Sequence, residues 1–351
     1  MTSEPEPLLR VGGNFGDFNI VEELGVGGMG SVYRVRDPET GEDYAVKVMH
    51  PVISARDFER RFIREAEIAM NVRHPNLVHV YDVGRDPDTG LAYMVMDYVS
   101  GGSLRGKMAQ KLMSGERFTV REALGVVRKI AEALSAAAAA GVVHRDVKPD
   151  NILFDEAGNP VLADLGVAKV DDDSATVLTM SNVVVGTPAY MAPEQLLSSH
   201  GVDSRADVYS LGIVLWEMLA GERPNSDASQ SELLASAVRG DRIPDIRTKR
   251  QKTPRYVVEL LRRMCDPRLT HRFASPDEVV RFLEEWRIIE ARRFRTFLVW
   301  FAVVMTLAVA AVVALGVRMI GGNAPSSADV LEKSDQDDSP ESEFSIPNVV
   351  D

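Results

Sequence analysis

"VVHRDVKPDNILF", Val142–Phe154, packs His144, Arg145, Asp146, Lys148, Asp150 and Asn151 into eight residues directly ahead of an apolar run, Ile152 to Phe154. A charged loop before a strand is most often a solvated connection. Two features ask for more here. Asp146 and Asn151 are five apart, and thirteen residues beyond Asn151 comes "ADLGVAK", Ala163–Lys169, where Asp164 stands alone between small and apolar neighbours. Whether Asp164 is a metal ligand in a tight turn or an ordinary loop acid is the question that this spacing raises.

The bulk properties permit a large folded unit. The chain has 351 residues, 45% apolar and 26% charged, which is enough for a sizeable core and about two domains. A net charge of −12 argues against a general nucleic-acid binder, since phosphate backbones are held by clustered Lys and Arg. One cysteine, Cys265, excludes an internal disulfide and a Cys-rich metal site.

Residues 15 to about 100 read as strands with one helix. "FNIVEELGVGGMGSVYRVRD", Phe18–Asp37, gives two β-branched runs parted by glycines, and "GEDYAVKVMH", Gly41–His50, gives a third strand. "DFERRFIREAEIAMNV", Asp57–Val72, sets Phe58, Phe62, Ile63, Ala66 and Met70 at helical spacing. "LVHVYDVG" and "LAYMVMDYV" return to strands, and from Ser103 on the pattern is mainly helical. The alanine block Ala136–Ala140 ends at Gly141, as a helix with a glycine C-cap does. A last amphipathic helix opens with a capping box, Ser275 and Glu278, and Pro276 at its first position.

Between the first two strands, Gly25, Gly27 and Gly30 are spaced G-x-G-x-x-G, followed by Val32. Glycines there let backbone N–H groups approach phosphate oxygens. A plain glycine hairpin is commoner, and a dinucleotide-binding turn shares the spacing but needs a helix to open at the third glycine. "SVYRVRD" reads as strand instead. Lys47 in "YAVKV" is a mid-strand lysine whose stem could simply pack while its head reaches solvent. Beside a phosphate-cradling loop it becomes a candidate to hold two phosphates, with Glu65 of the following helix fixing its rotamer.

With these four signals in order, residues from about 15 to 285 resemble a Hanks-type (eukaryotic-like) Ser/Thr protein kinase of the membrane-anchored bacterial branch. "HRDVKPDN" matches the family's catalytic loop at every fixed position. The resemblance implies an α+β, two-lobed fold: a β-rich lobe over about 15–99 and a helical lobe over about 100–285. It implies ATP as co-substrate, Mg²⁺ (or Mn²⁺) as cofactor, Ser/Thr-bearing proteins as substrates and a homodimer for autophosphorylation.

Carried over position by position, Leu24, Gly25, Val26, Gly27, Gly28, Met29 and Gly30 would form the loop over the phosphates. Val32 and Ala45 would flank the adenine, with Leu153 as its floor. Met96 resembles the gatekeeper, and the Asp97 carbonyl and Val99 N–H would bond the base. Lys47 would contact phosphates and pair with Glu65, Glu67 being the neighbouring alternative. Asp146 would orient the substrate hydroxyl, Lys148 would neutralise the transferred group, and Asn151 and Asp164 would hold the metal. In "GTPAYMAPE", Thr187 would bond Asp146 and Lys148. Glu194 would pair with Arg272, and Asp207 would brace the catalytic loop. Thr176, Thr179 and Ser181 are candidate phosphosites whose charge would meet Arg145.

Some positions depart from the family. Leu165 stands where it usually has Phe after the metal-binding Asp, and Asp97 stands where it usually has Glu. "ALSAAAAAG" lacks a customary His, and 106–120 carries no clear signature.

Outside this region, residues 1–14 read as a flexible leader without the apolar run of a signal peptide. "TFLVWFAVVMTLAVAAVVALGV", Thr296–Val317, is about 22 residues without charge and predicts a single transmembrane helix. It follows a basic juxtamembrane segment, 286–295, whose Arg287, Arg292, Arg293 and Arg295 would face the cytoplasm. The expected location is therefore the plasma (inner) membrane, the catalytic domain inside and the acidic tail 318–351, read as disordered, outside.

Overall fold

The computed structural model describes residues 8–27, 30–51, 56–164, 188–197 and 201–321. The chain forms two compact units, Met1–Trp286 and Arg287–Asp351. The first unit opens with a six-stranded antiparallel sheet of order β1-β2-β3-β4-β6-β5. Its strands are β1 (Asn14–Phe15), β2 (Phe18–Val26), β3 (Gly30–Arg36), β4 (Asp43–Met49), β5 (Val80–Arg85) and β6 (Ala92–Asp97), with helix α1 (Arg56–Ala69) inserted after β4. The glycine run is a hairpin, closed by Gly27 N–H on Gly30 O at 2.8 Å. Gly30 lies so close to the Val48 carbonyl that a Cβ would collide with backbone, so this third glycine is required for strand pairing.

Both faces of the sheet are covered, and the period of two decides which side chain goes where. Val46 and Val48 join Ile20, Tyr33, Val35 and Val95 in an outer core that also takes in Phe15 and Leu9. The residues expected as a flexible leader thus end in contacts, with the Leu9 N–H donating to the Tyr33 hydroxyl at 3.2 Å. Ala45, Lys47 and Met49 share the opposite face. There Ala45 and Met49 pack with Phe62 and Ala66 of α1 and with Met94 and Met96 of β6.

The helical part contains α2 (Leu104–Met113), α3 (Val120–Ala139), α4 (Pro193–Leu197), α5 (Arg205–Ala220), α6 (Gln230–Arg239), α7 (Arg255–Met264) and α8 (Pro276–Gly321), with a two-stranded hairpin of β7 (Ile152–Phe154) and β8 (Pro160–Leu162). α3 starts in a full capping box: the Thr119 hydroxyl accepts from Glu122 N–H at 3.2 Å, and Glu122 accepts from Thr119 N–H at 2.7 Å. It ends as the alanine block predicts, with Gly141 at φ 78°. α5 is buried along nearly its whole length and is the spine of this half. Gly212 permits that, because a Cβ there would stand 2.5 Å from Cys265 Sγ and 2.8 Å from Met264 Cβ of α7. At the start of α8, Val279 and Leu283 are buried, and Trp286 stacks on Tyr256 with ring centroids 5.0 Å apart.

One expectation is overturned. Among the described residues no helix is long and apolar enough to cross a membrane, so the transmembrane helix at Thr296–Val317 is not borne out. The membrane as a partner, the juxtamembrane role of 286–295 and the inside–outside placement all rested on that span. Residues 322–351 of the acidic tail lie outside the described residues.

Candidate active site

The site is built from four pieces of backbone that the sequence separates widely. β4 delivers Lys47, whose side chain is 14% exposed, and the end of the β7–β8 hairpin delivers Asp164. The two form an ion pair. Asp164 has φ 61°, a left-handed conformation that Asp tolerates better than most side chains. Glu65 is half-buried on α1 beside the buried Phe62 and Ala66, whereas Glu67 is exposed, so of the two acids Glu65 is the inward one.

The loop before β7 is held from below by α5. The Asp207 carboxylate accepts from the backbone N–H of His144 at 2.8 Å and of Arg145 at 2.7 Å, and Arg145 also has φ 61°. Such strain persists only where surrounding bonds over-determine it. Burial pushes the Asp207 carboxyl up to about 7, against the pull of those two N–H bonds. His144 is fully buried, and its Nε2 lies 3.1 Å from the Ala163 carbonyl, next to Asp164.

Above this support the polar groups converge on Asp146. Lys148 Nζ donates to its carboxylate at 2.8 Å, and Asn151 Nδ2 donates to the same oxygen at 3.0 Å and to the Asp146 carbonyl at 2.8 Å. The Asn151 carbonyl in turn accepts from Ala163 N–H at 2.8 Å, which fixes Asn151 against the backbone just after β8 and before Asp164. With its amide nitrogen turned to Asp146, Asn151 keeps its amide oxygen available as a donor to a cation. Hard oxygen donors suit Mg²⁺ or Mn²⁺. Among the described residues no cluster of three His, Cys, Asp or Glu could hold a metal by itself.

The sheet side supplies apolar walls. Ala45 pairs with Met96 and Val32 with Lys47 across the ladders, and Leu153 bridges to Ser103 below. Leu24 and Val26 stand exposed at the rim, near Gly25. The link between the lobes is held at Asp97, whose carboxylate accepts from His79 N–H at 2.8 Å and the Tyr81 hydroxyl at 2.7 Å; Val99 follows it, half-buried. Glu194 and Arg272 pair at 2.6 and 3.1 Å, and Arg272 also bonds the Arg205 and Asp266 carbonyls. Gly28, Met29, Leu165, Thr176, Thr179, Ser181 and Thr187 lie outside the described residues.

Sequence reasoning missed several members. Nothing in the sequence marks Tyr81 beyond its place in a strand. Gln195 donates to the Arg145 carbonyl at 3.1 Å, and Arg105, Tyr190 and Glu217 form a bonded group that includes Asp150. An acid inside an apolar helix was the available signal for Glu217; nothing local marked Arg105.

Comparison with known proteins agrees with this geometry. The family model described as protein kinase domain matches residues 18–282. The chain is 35% identical over 298 residues to a probable serine/threonine-protein kinase, pknA2, of Bifidobacterium longum, covering 81% of this chain and 38% of that protein. It is 39% identical over 231 residues to the serine/threonine-protein kinase PknB of Mycobacterium tuberculosis, covering 65% and 36%. The chain thus spans little more than a third of the length of these curated relatives. Among solved structures, the kinase domain of PknI of Mycobacterium tuberculosis is similar with a TM-score of 0.63 and 29% identity, covering 79% of this chain and 99% of that one. With Lys47, Asp146, Asn151 and Asp164 gathered on the two-lobed frame and the family model covering most of the sequence, the chain belongs to the protein kinase family, among the bacterial Hanks-type Ser/Thr kinases.

Proposed function

We propose that this protein is an active Ser/Thr protein kinase in signal transduction, transferring the γ-phosphoryl group of ATP to hydroxyls of other proteins and of itself. The observation that carries this reading is the Asp146 carboxylate held by both Lys148 and Asn151, within the same cleft as the Lys47–Asp164 pair. Phosphoryl transfer asks mainly for positioning and for positive charge around the phosphate oxygens. Asp146 orients the acceptor hydroxyl and takes its proton, and Lys148 faces the charge that develops on the transferred group. Lys47 holds the α- and β-phosphates. Asn151 and Asp164 would hold Mg²⁺, whose positive charge would offset that of the phosphates. The backbone of Asp97 and Val99 bonds the adenine edge, between the Val32 and Ala45 roof and the Leu153 floor. Thr187 orders the acceptor side, and phosphorylation at Thr176, Thr179 or Ser181 supplies an anion near Arg145.

A scaffold that keeps the fold without the chemistry is the competing reading. Such proteins commonly lose the strand lysine, the catalytic acid or a metal ligand, and all of these are present here. The test is incubation of the full chain with Mg²⁺, ATP and a Ser/Thr-rich acceptor protein, beside Lys47→Met and Asp146→Asn. Phosphoserine and phosphothreonine should form with the unchanged chain alone, and equal incorporation in all three would overturn the proposal.

A further inference from the structure

Arg105, near the start of α2 and just past the link between the lobes, sends its guanidinium into a group of three other side chains. Nη1 donates to Glu217 Oε1 of α5 at 2.7 Å, while Nη2 reaches Asp150 Oδ2 at 3.3 Å and the Tyr190 hydroxyl at 2.5 Å. Tyr190 closes the ring by donating to Glu217 Oε2 at 2.5 Å. These partners come from distinct surroundings of the acceptor hydroxyl. Asp150 lies four residues beyond Asp146 on the same loop, and Tyr190 lies in the "GTPAYMAPE" segment read as docking the substrate. The Glu217 side chain is 6% exposed, so it is a nearly buried carboxylate that requires a cation; Asp150 is 49% exposed at the mouth of the group. Burial works against the Arg105 charge, and its bonds to Glu217 and Tyr190 overcome that and raise its pKa.

Without Arg105 this place would be a socket of two carboxylates and a hydroxyl, opening beside Asp146. Its shape and charge suit one basic side chain. The guanidinium forms bonds to both carboxylates, as an arginine of a bound peptide would. We infer that Arg105 is a specificity-determining residue, filling in cis an acidic socket that would otherwise select acceptor proteins with a basic side chain near the phosphorylated Ser or Thr. The enzyme then takes neutral acceptors at that position and gains nothing from a basic one. This rests on the kinase reading given above.

The test compares kcat/KM of the full chain on Ser peptides that differ only in Arg or Gln at one place within three residues of the acceptor, scanned on both sides. The unchanged chain should show an Arg/Gln ratio near or below one at every place. Arg105→Ala should raise that ratio about tenfold at one place, mostly through KM, the worth of one charge-assisted hydrogen bond. Arg105→Gln, which keeps the stem and a donor for Glu217, should do the same if the alanine variant fails to fold. Adding Asp150→Asn to either should reduce the gain, a response that a purely structural Arg105 would not produce. An unchanged ratio in both variants, with the parent active, overturns the inference alone. A parent chain that phosphorylates neither peptides nor itself overturns the kinase reading, and this inference with it.

Discussion

Lys47 and Asp164, 117 positions apart in the chain, meet as an ion pair across the cleft between the sheet and the β7–β8 hairpin. Each carries the charge that compensates the other. On the proposed reading, ATP with Mg²⁺ would replace this pair with two others, lysine with phosphate and carboxylate with metal. Asp164→Asn should therefore abolish the tightening of ATP binding that Mg²⁺ produces and lower phosphoryl transfer by about a hundredfold or more. Calorimetric titration of ATP with and without Mg²⁺, on both forms, checks the first part; ATP affinity that still responds to Mg²⁺ in the variant would remove Asp164 as the ligand.

Tyr81 and Asp97 are the second relationship with a measurable consequence. The hydroxyl of Tyr81 and the N–H of His79 hold the two oxygens of the Asp97 carboxylate, and the Asp97 carbonyl is proposed to face the adenine. The bond to Asp97 is also the main reason that the Tyr81 phenol is pushed up to about 12. Tyr81→Phe removes one bond of about 1 kcal/mol, so the KM for ATP should rise about fivefold while kcat stays within about twofold. Steady-state kinetics at saturating acceptor separates the two. A fall in kcat with KM unchanged would mean that Tyr81 acts elsewhere.

Arg272 and Glu194 anchor the start of α4. The Arg272 side chain is fully buried and bonds Glu194 with two of its nitrogens while also holding two carbonyls. Arg272→Ala should cost about 3–5 kcal/mol of stability, as for other broken buried pairs. Arg272→Ala with Glu194→Ala should lose clearly less than the sum of the single losses. Urea unfolding of the four forms provides the cycle, and simple additivity would deny the pair its role.

These three relationships differ in how readable they are from the sequence. Lys47, Asp146, Asn151 and Asp164 stand in motifs whose order and spacing resemble those of the kinase family, and that resemblance is what made them legible. The glycine hairpin is legible locally, where the absence of a helix signal after Gly30 argues for strand, and β3 begins there. Arg105, Tyr81 and Gln195 act through partners 112, 16 and 50 positions away, and no periodicity marks such contacts. The apolar run at 296–317 shows the opposite limit. Hydropathy reads a span from composition alone, and no described helix meets the length and apolarity that a bilayer requires.

Asp207 gives the fold a dependence on pH whose sign can be worked out. Its ordinary pKa of 3.8 is raised to about 7 by burial in α5, despite the N–H groups of His144 and Arg145. A folded pKa above the unfolded one means that the folded state binds the proton more tightly. The contribution to stability is then fully present below about pH 4 and is lost as pH rises through 7. Between these limits this single group lowers the unfolding free energy by at most about 1.4 kcal/mol per pH unit. Asp207→Asn removes the titration but turns an amide N–H₂ toward one of the backbone donors, so it should lower stability by about 1–3 kcal/mol at low pH. The gap between the two proteins should narrow from pH 5 to pH 7.5. Urea midpoints measured across that range check the sign, and a gap that widens with pH would mean that Asp207 is charged throughout and that its two N–H bonds outweigh its burial.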